Sequence, residues 1–317
     1  MPDEVLNLQI TDLTAEAKGV MVIELRSTTG QALPPFKPGA HVELHLPGNI
    51  VRQYSLCNDA RETHRYCLGV GLSPSSRGGS RHVHRSLKVG DTLKVSPPRN
   101  HFPLQEDAPQ LVFFAGGIGI TPVWSMIQWC EANGRPWHLF YLVRNRQRAA
   151  FLETLGGFGD RVTLHADDEA GGLFDIAAAI ARQPANVHIY TCGPTPLMLA
   201  VEAAASGFPD GQVHFEWFTP RQPTASGADK AFTVQLARSG RSLEVPADKS
   251  ILEVLEANGL RVESSCREGT CASCEICVLE GIPEHRDSVL TAAERNNNDV
   301  MMICVSRSRS ENLVLDL

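Results

Sequence analysis

The sequence predicts a multidomain chain: an antiparallel β-barrel, then an α/β domain with a parallel sheet, then a small α+β domain. The 317 residues exceed the usual size of one domain. Near Gln110, short strands give way to strands that alternate with helices. A polar Pro/Ser/Gly segment, Pro220–Lys230, then reads as a linker to a cysteine-rich C-terminal part. The predicted domains are 1–104, 105–222 and 230–317.

The first predicted domain consists of short runs rich in β-branched or aromatic residues, separated by turn signals such as Pro38-Gly39. Several short strands at this spacing indicate a small barrel. We expect His82 and His84, after the turn signal at Gly78-Gly79, in a loop or strand and not as metal ligands. The predicted strands are Val20–Arg26, His41–Leu46, Arg52–Cys57, Arg65–Val70 and Thr92–Ser96.

The second predicted domain alternates apolar strands with helices, which is typical of a parallel sheet. Its first helix has Gly134 as a candidate C-terminal cap. The predicted strands are Leu111–Ala115, Trp137–Val143, Val162–His165, Val187–Thr191 and Gln212–Phe218, and the predicted helices are Pro122–Asn133, Leu173–Ala181 and Pro196–Ala205.

Composition excludes some classes of protein. The net charge of −7 argues against a nucleic-acid binder, which usually has a basic excess. No apolar run reaches the roughly 20 residues that span a bilayer, and the N-terminus lacks the pattern of a signal peptide. We therefore expect a cytoplasmic protein with no membrane partner, monomeric by default. Thiols stay reduced there, so the nine cysteines do not indicate a disulfide framework.

The third predicted domain carries a cysteine motif. A predicted hairpin (Phe232–Leu236 and Ser242–Val245) and a helix capped by Ser250 come first. The spacing Cys266-x4-Cys271-x2-Cys274, with Cys304 after 29 further residues, is typical of a plant-type [2Fe–2S] cluster. We expect Gly269 to keep side chains away from the cluster sulfides. A zinc site is the alternative, although zinc knuckles favour paired cysteines. Cys277 is interpreted as a buried or semi-exposed bystander.

Two further motifs indicate nucleotide binding. Gly116, Gly117 and Gly119, followed by Thr121 and Pro122, form a turn between a strand and a helix, where backbone N–H groups can approach a pyrophosphate. The alternative is an ordinary strand–helix turn. Cys192, Gly193 and Pro194 follow a later strand, and ligands bind at such carboxyl ends in open α/β sheets. In the barrel, Arg52, Tyr54 and Ser55 could contact a flavin, or be ordinary strand packing.

Together these motifs, with His214–Phe218 and Glu284–Asp287, resemble the phthalate dioxygenase reductase family of the ferredoxin–NAD(P) reductase superfamily. The resemblance covers essentially the whole chain and implies a β-grasp fold for the ferredoxin domain. It implies that Arg52, Tyr54 and Ser55 bind the flavin, with Phe218 at the flavin face. Ser75, Arg77, Gly78, Gly79 and Ser80 would contact the FMN phosphate, whereas Gly116, Gly117, Gly119, Thr121, Pro122, Cys192, Gly193 and Pro194 would line the nicotinamide site. Trp217 and Ala272 depart from the family pattern.

The resemblance also implies a function. The protein would be the reductase component of a Rieske-type aromatic oxygenase or demethylase, taking hydride from NADH to FMN and passing single electrons through the cluster to the oxygenase. FAD is the alternative flavin. NADPH is the alternative nucleotide, because Arg144, Arg146 and Arg148 follow the second strand of the α/β domain. Another acceptor, such as a P450 or a dehydrogenase, is the alternative partner.

Overall fold

The computed structural model describes residues 5–74, 76–220 and 229–317. Ser75 and most of the predicted linker lie outside the described residues. The chain forms two compact units, Met1–Phe218 and Thr219–Leu317. The division of the first unit into two domains remains a prediction. No helix among the described residues is both long enough and apolar enough to cross a bilayer.

The first unit begins with a six-stranded antiparallel sheet, in the order β4-β3-β6-β1-β2-β5. An isolated bridge between Leu56 and Leu68 joins its two edges, which makes the sheet a barrel. Side chains such as Ile23, Val42 and Leu44 fill the interior. The elements are β1 (Leu6–Ala17), β2 (Val20–Ser27), β3 (His41–Leu46), β4 (Ile50–Ser55), β5 (Tyr66–Gly71), α1 (Gly79–Arg85) and β6 (Thr92–Val95).

The second part of this unit is a five-stranded parallel sheet in the order β11-β10-β7-β8-β9. Gly134 follows its first helix with φ +60°, as its predicted capping role requires. The elements are β7 (Leu111–Gly116), α2 (Ile120–Ala132), β8 (Trp137–Val143), α3 (Leu152–Gly156), β9 (Val162–Ala166), α4 (Asp167–Ala170), α5 (Ile176–Ala181), β10 (His188–Cys192), α6 (Thr195–Ala204) and β11 (Val213–Glu216).

The second unit has a five-stranded mixed sheet, β13-β12-β18-β14-β16, and a two-stranded sheet, β15-β17. The Ser250 cap is confirmed: its hydroxyl accepts from the N–H of Glu253, whose carboxylate accepts from the N–H of Ser250. The elements are β12 (Phe232–Leu236), β13 (Ser242–Val245), α7 (Ile251–Ala257), β14 (Glu275–Glu280), β15 (Pro283–Glu284), α8 (Ala292–Asn297), β16 (Val300–Met302), β17 (Arg307–Ser308) and β18 (Asn312–Leu315).

The fold class is confirmed, but three local predictions are wrong or incomplete. The twelve-residue strand β1 was not predicted. His82 and His84 lie in helix α1, not in a loop or strand, and the Nε2 of His84 is 2.8 Å from the carbonyl oxygen of Val70. Cys277 lies on β14 as predicted, but it is exposed instead of buried or semi-exposed.

Candidate functional site

The parallel sheet has a topological switch point between β7 and β10. From β7 the chain adds β8 and β9 on one side, whereas β10 and β11 lie on the other. Ligands in open α/β sheets bind in the crevice outside the carboxyl ends of the strands at such a point. Both predicted nucleotide motifs lie there: Gly116 ends β7 and Gly117–Gly119 follow it, whereas Cys192 ends β10 and Gly193 and Pro194 follow it.

Glycines let the two motifs pack directly against each other. A Cβ on Gly116 would lie 2.5 Å from the Pro194 ring, and a Cβ on Gly193 would lie 2.9 Å from the backbone of Gly116. A Cβ on Gly119 would overlap the carbonyl of Cys192. Gly117 has φ +53° and open space beside it. The glycines therefore bring backbone to the crevice at positions where a side chain would block it.

Thr121 anchors the glycine turn to the barrel. Its hydroxyl donates to the carbonyl of Ile118 at 3.0 Å, and the side chain is buried. Its methyl group contacts Gly69 of β5, where any Cβ would collide with it. Ile118 occupies the equivalent space over Gly71. Sequence analysis missed these two strand glycines, although glycine at alternate positions of a strand is a recognised sign of close backbone approach.

A buried polar trio lies at the same end of the sheet. The Glu216 carboxyl group interacts with the thiol of Cys192 and the hydroxyl of Ser55. Cys192 and Glu216 are paired across β10 and β11, and Ser55 ends β4 of the barrel. The residue Glu216 is partly accessible to solvent, but its Oε2 is fully buried and has no hydrogen-bond partner among the described residues.

Burial governs the electrostatics of this trio. It raises the pKa of Glu216 to about 8, although interactions with Cys192 and Ser55 oppose the shift. Burial likewise raises the pKa of the Cys192 thiol well above its usual value. The Glu216 carboxyl group can therefore keep a proton at pH values where an exposed glutamate is ionised. It can then donate a hydrogen bond to a ligand. Glu216 was not among the predicted site residues.

The predicted flavin residues line the barrel side. Tyr54 is half-buried on β4, and burial raises the pKa of its hydroxyl to about 12. The Arg52 guanidinium donates to the carbonyls of Val51 and Arg77 at 2.7 and 3.1 Å. Phe218, the last residue of the first unit, is a large aromatic side chain that is 41% exposed. An exposed phenyl ring and the unpaired Glu216 Oε2 fit a site that receives a planar polar ring.

The predicted phosphate segment is packed against β4. A Cβ on Gly79 would lie 2.6 Å from the Arg52 side chain, and one on Gly78 would lie 2.7 Å from Ile50. Ser80 accepts from the N–H of Ser73 at 3.2 Å. Glycine is thus required for this segment to approach Arg52, whose charge suits a phosphate. Ser75 of this segment lies outside the described residues.

Trp217, one of the two departures from the family pattern, packs with Phe215. Its ring is buried and stacks on Phe215 at a centroid distance of 6.3 Å. Side chains alternate between the two faces of an extended chain, so Trp217 and Glu216 point to opposite sides. The departure from the family pattern at Trp217 is accommodated by packing with Phe215.

In the second unit, the predicted cluster ligands converge. The Cys266 thiol interacts with those of Cys271 and Cys304, and Cys304 interacts with Cys274. Backbone N–H groups of Glu268 and Thr270 donate to Cys266 Sγ at 3.3 and 3.4 Å. Such donors favour the negative charge of a thiolate-bound cluster. The residues therefore fit a [2Fe–2S] cluster, whereas exposed Cys277 does not join them.

Three residues of the cluster loop have left-handed backbone: Arg267, Gly269 and Ala272. Gly269 has φ +69°, and its Cβ would lie 2.6 Å from the Val305 side chain and 2.9 Å from Asp287 Cα. Crowding against these two residues and the backbone angle both favour glycine here, and the expected clash with cluster sulfides stays a prediction. Ala272 has φ +55°, which explains why the family usually has glycine there.

A flavin-type barrel, a nucleotide crevice and a ferredoxin-type cluster loop define a class of electron-transfer reductases. The family model for the 2Fe-2S iron-sulfur cluster binding domain matches residues 234–309. Phenoxybenzoate dioxygenase subunit beta of Ectopseudomonas oleovorans is 46% identical over 98% of this chain and 97% of its own length.

Solved structures extend the comparison. The structure of phthalate dioxygenase reductase, described as modular for electron transfer from pyridine nucleotides to [2Fe–2S], matches with a TM-score of 0.72 and 40% identity. It covers 99% of this chain and 98% of its own. An intact type IV self-sufficient cytochrome P450 monooxygenase matches with a TM-score of 0.92 and 37% identity. That match covers 99% of this chain but 41% of the larger protein. The chain belongs to the family of phthalate dioxygenase reductase and related oxygenase reductases.

Proposed function

We propose that this protein is the reductase component of an aromatic-ring oxygenase or demethylase system. It would take electrons from NADH and deliver them singly to a terminal oxygenase component. The observation that carries the proposal is that one chain holds both the Ser55–Cys192–Glu216 trio at the nucleotide crevice and the four converging cysteines. Relatives that match over nearly the whole chain are oxygenase reductases, which supports the same conclusion.

The chain's residues would hold two bound groups and one nucleotide. Flavin mononucleotide, when bound, converts a two-electron hydride transfer into single-electron steps, and a [2Fe–2S] cluster carries those electrons onward. The proposed flavin contacts are Arg52, Tyr54, Ser55, Ser75, Arg77, Gly78, Gly79, Ser80 and Phe218. The proposed nicotinamide contacts are Gly116, Gly117, Gly119, Thr121, Pro122, Cys192, Gly193 and Pro194, and the proposed cluster ligands are Cys266, Cys271, Cys274 and Cys304.

The residues at the crevice act by binding and orientation. The glycine turn places backbone N–H groups at the α2 terminus, where they favour a pyrophosphate. The trio presents a protonated carboxyl group and a hydroxyl at the meeting point of barrel and sheet, where they hydrogen-bond ring substituents and keep water out. Exposed Phe218 would cover the flavin until nicotinamide displaces its ring. No side-chain nucleophile is needed for hydride transfer.

NADH is proposed over NADPH because of the family to which the chain belongs. Of the three arginines after β8, Arg146 donates through Nε to both carboxylate oxygens of Glu169, at 2.7 and 2.9 Å. This ion pair lies at the surface and does not by itself select the nucleotide. We also propose a cytoplasmic location, because none of the nine cysteines forms a disulfide, and a monomer as the default state. Size-exclusion chromatography with light scattering tests the oligomeric state.

NADH-driven reduction of cytochrome c tests the function. Purified protein with bound flavin and cluster should reduce cytochrome c with NADH and should lose most of this activity in Cys304→Ser. Ferricyanide, which accepts electrons from reduced flavin, should still be reduced by that variant. The matched control is Cys277→Ser, an exposed cysteine of the same unit, which should behave as wild type. A loaded protein that reduces neither acceptor would refute the proposal.

The structural match to a self-sufficient P450 favours a second candidate acceptor. Reconstitution with an aromatic-ring oxygenase and, separately, with a P450 distinguishes the two, with NADH oxidation coupled to substrate turnover as the readout. Acid extraction and chromatography of the bound flavin distinguish FMN from FAD.

A further inference from the structure

Asp287 is a fully buried acid next to the cluster loop, with a relative exposure of 1%. Its Oδ2 accepts from the backbone N–H groups of Val289 and Leu290 at 3.0 and 2.8 Å. Its Oδ1 is buried without a hydrogen-bond partner among the described residues. A buried carboxylate with one unpaired oxygen is costly, so its retention in the interior calls for a reason beyond packing.

The segment around Asp287 supports the cluster loop directly. The N–H of Ser288 donates to the carbonyl of Gly269 at 2.7 Å. The backbone of Asp287 packs so closely on Gly269 that a Cβ there would lie 2.9 Å from Asp287 Cα. Gly269 lies between Cys266 and Cys271 in the sequence. The segment of Asp287 therefore contacts the backbone that joins two of the proposed ligands.

Neighbouring positive charges balance the negative charge of the Asp287 carboxylate only in part. Arg295 donates to Oδ2 at 3.4 Å and to the Asp287 carbonyl at 2.6 Å, but about a quarter of its side chain is in solvent. His285 Nδ1 is 4.0 Å from Oδ1. Burial lowers the pKa of His285, so it is neutral at neutral pH.

We propose that Asp287 positions the cluster loop and, through its buried negative charge, lowers the reduction potential of the cluster. This inference rests on the proposed ligation by the four cysteines. An added electron makes the cluster more negative, and a fixed negative charge at low effective dielectric opposes that change. Arg295 acts in the opposite direction and more weakly, because solvent screens it. Asp287 and Arg295 together would therefore help to set the reduction potential of the cluster, which accepts one electron at a time.

The test measures the midpoint potential of the holoprotein by a redox titration followed by electron paramagnetic resonance. Asp287→Asn keeps an oxygen acceptor for the two backbone N–H groups but removes the charge. We expect its midpoint potential to be more positive, by about a tenfold change in the electron-acceptance equilibrium, or about 59 mV for one electron. Arg295→Gln should shift the potential the other way. The control, Glu280→Gln, removes an exposed acid of the same unit and should leave the potential unchanged.

Opposite shifts separate the electrostatic role from a merely structural one. A loosened loop would lower iron content or broaden the signal in both variants without moving the potentials in opposite directions. Asp287→Asn with full iron content and the wild-type potential would overturn the proposal, as would shifts of the same sign in both variants. If Asp287→Asn does not hold iron, Arg295→Gln decides: a more negative potential supports the proposal and an unchanged one overturns it. A wild-type protein that assembles no [2Fe–2S] cluster would instead refute the proposed function.

Discussion

Replacing Glu216 by glutamine should change how the stability of the first unit depends on pH. The carboxyl group is at the buried meeting point of Ser55 and Cys192, and burial raises its pKa from 4.5 to about 8. The folded protein therefore binds a proton at Glu216 more tightly than the unfolded chain does. Glutamine resembles the protonated acid in shape but does not titrate. Comparing the two proteins therefore measures the contribution of Glu216 protonation alone.

The sign and size of this pH-dependent change in stability follow from proton linkage. Stability contributed by a group with a raised folded pKa is fully present below the unfolded value and is lost as pH rises through the folded value. For Glu216 the loss runs from about pH 4.5 to about pH 8. At about 1.36 kcal/mol per pH unit, it has an upper limit of about 5 kcal/mol. Because part of the residue reaches solvent, we take a smaller pKa shift than burial alone gives, which leaves a loss of about 1.4 kcal/mol between pH 5.5 and 7.5.

Thermal unfolding of the first unit, followed by fluorescence of the released flavin, measures this effect. A loss of about 1.4 kcal/mol corresponds to a fall of about 3–6 °C in Tm for a unit of this size. Wild type should therefore lose about 3–6 °C relative to Glu216→Gln as pH rises from 5.5 to 7.5. The control is Glu153→Gln, which removes an exposed acid of the same unit. Parallel Tm profiles for wild type and Glu216→Gln would show that the carboxyl group does not titrate as its burial requires.

Three further changes test other parts of the structure. Gly69→Ala should force the Thr121 methyl group and the glycine turn away from β5, so stopped-flow flavin reduction by NADH should slow by about tenfold or more; an unchanged rate would show that this contact does not position the nicotinamide site. Ala272→Gly should raise the thermal stability of the second unit by about 0.5–1 kcal/mol, because φ +55° is costly for alanine; calorimetry that shows destabilisation would contradict the strain. Gly269→Ala should reduce the iron content of purified protein, since its Cβ would collide with Val305 and Asp287; full iron loading would contradict the close packing.

Sequence predicted the parallel sheet better than the barrel, for a physical reason. Strand β8 has the predicted bounds, as does β3 of the barrel, but all five strands of the parallel sheet were predicted, since near-continuous apolar runs mark such strands. Strand β1 lies in the barrel, where only alternate residues face the core. Its pairing with β2 shifts register between Ile10 and Asp12, which interrupts the alternation that would have marked it as a strand. Helix α1 begins with glycine, a residue that propensity assigns to turns.

The residues of the candidate site show a different limit on what the sequence can predict. Local motifs drew attention to Ser55 and Cys192, each of which ends a strand, but only the family resemblance distinguished Ser55 from ordinary strand packing. The role of Glu216 depends instead on strand order: it meets Cys192 only because β11 lies next to β10, and Ser55 only because β4 ends there. Asp287 is comparable, since its importance comes from contact with Gly269 in a distant loop. The electrostatic roles of Glu216 and Asp287 depend on which residues surround them in the fold. The sequence shows that both are acids, but it does not show that they are buried, and burial is what gives them these roles.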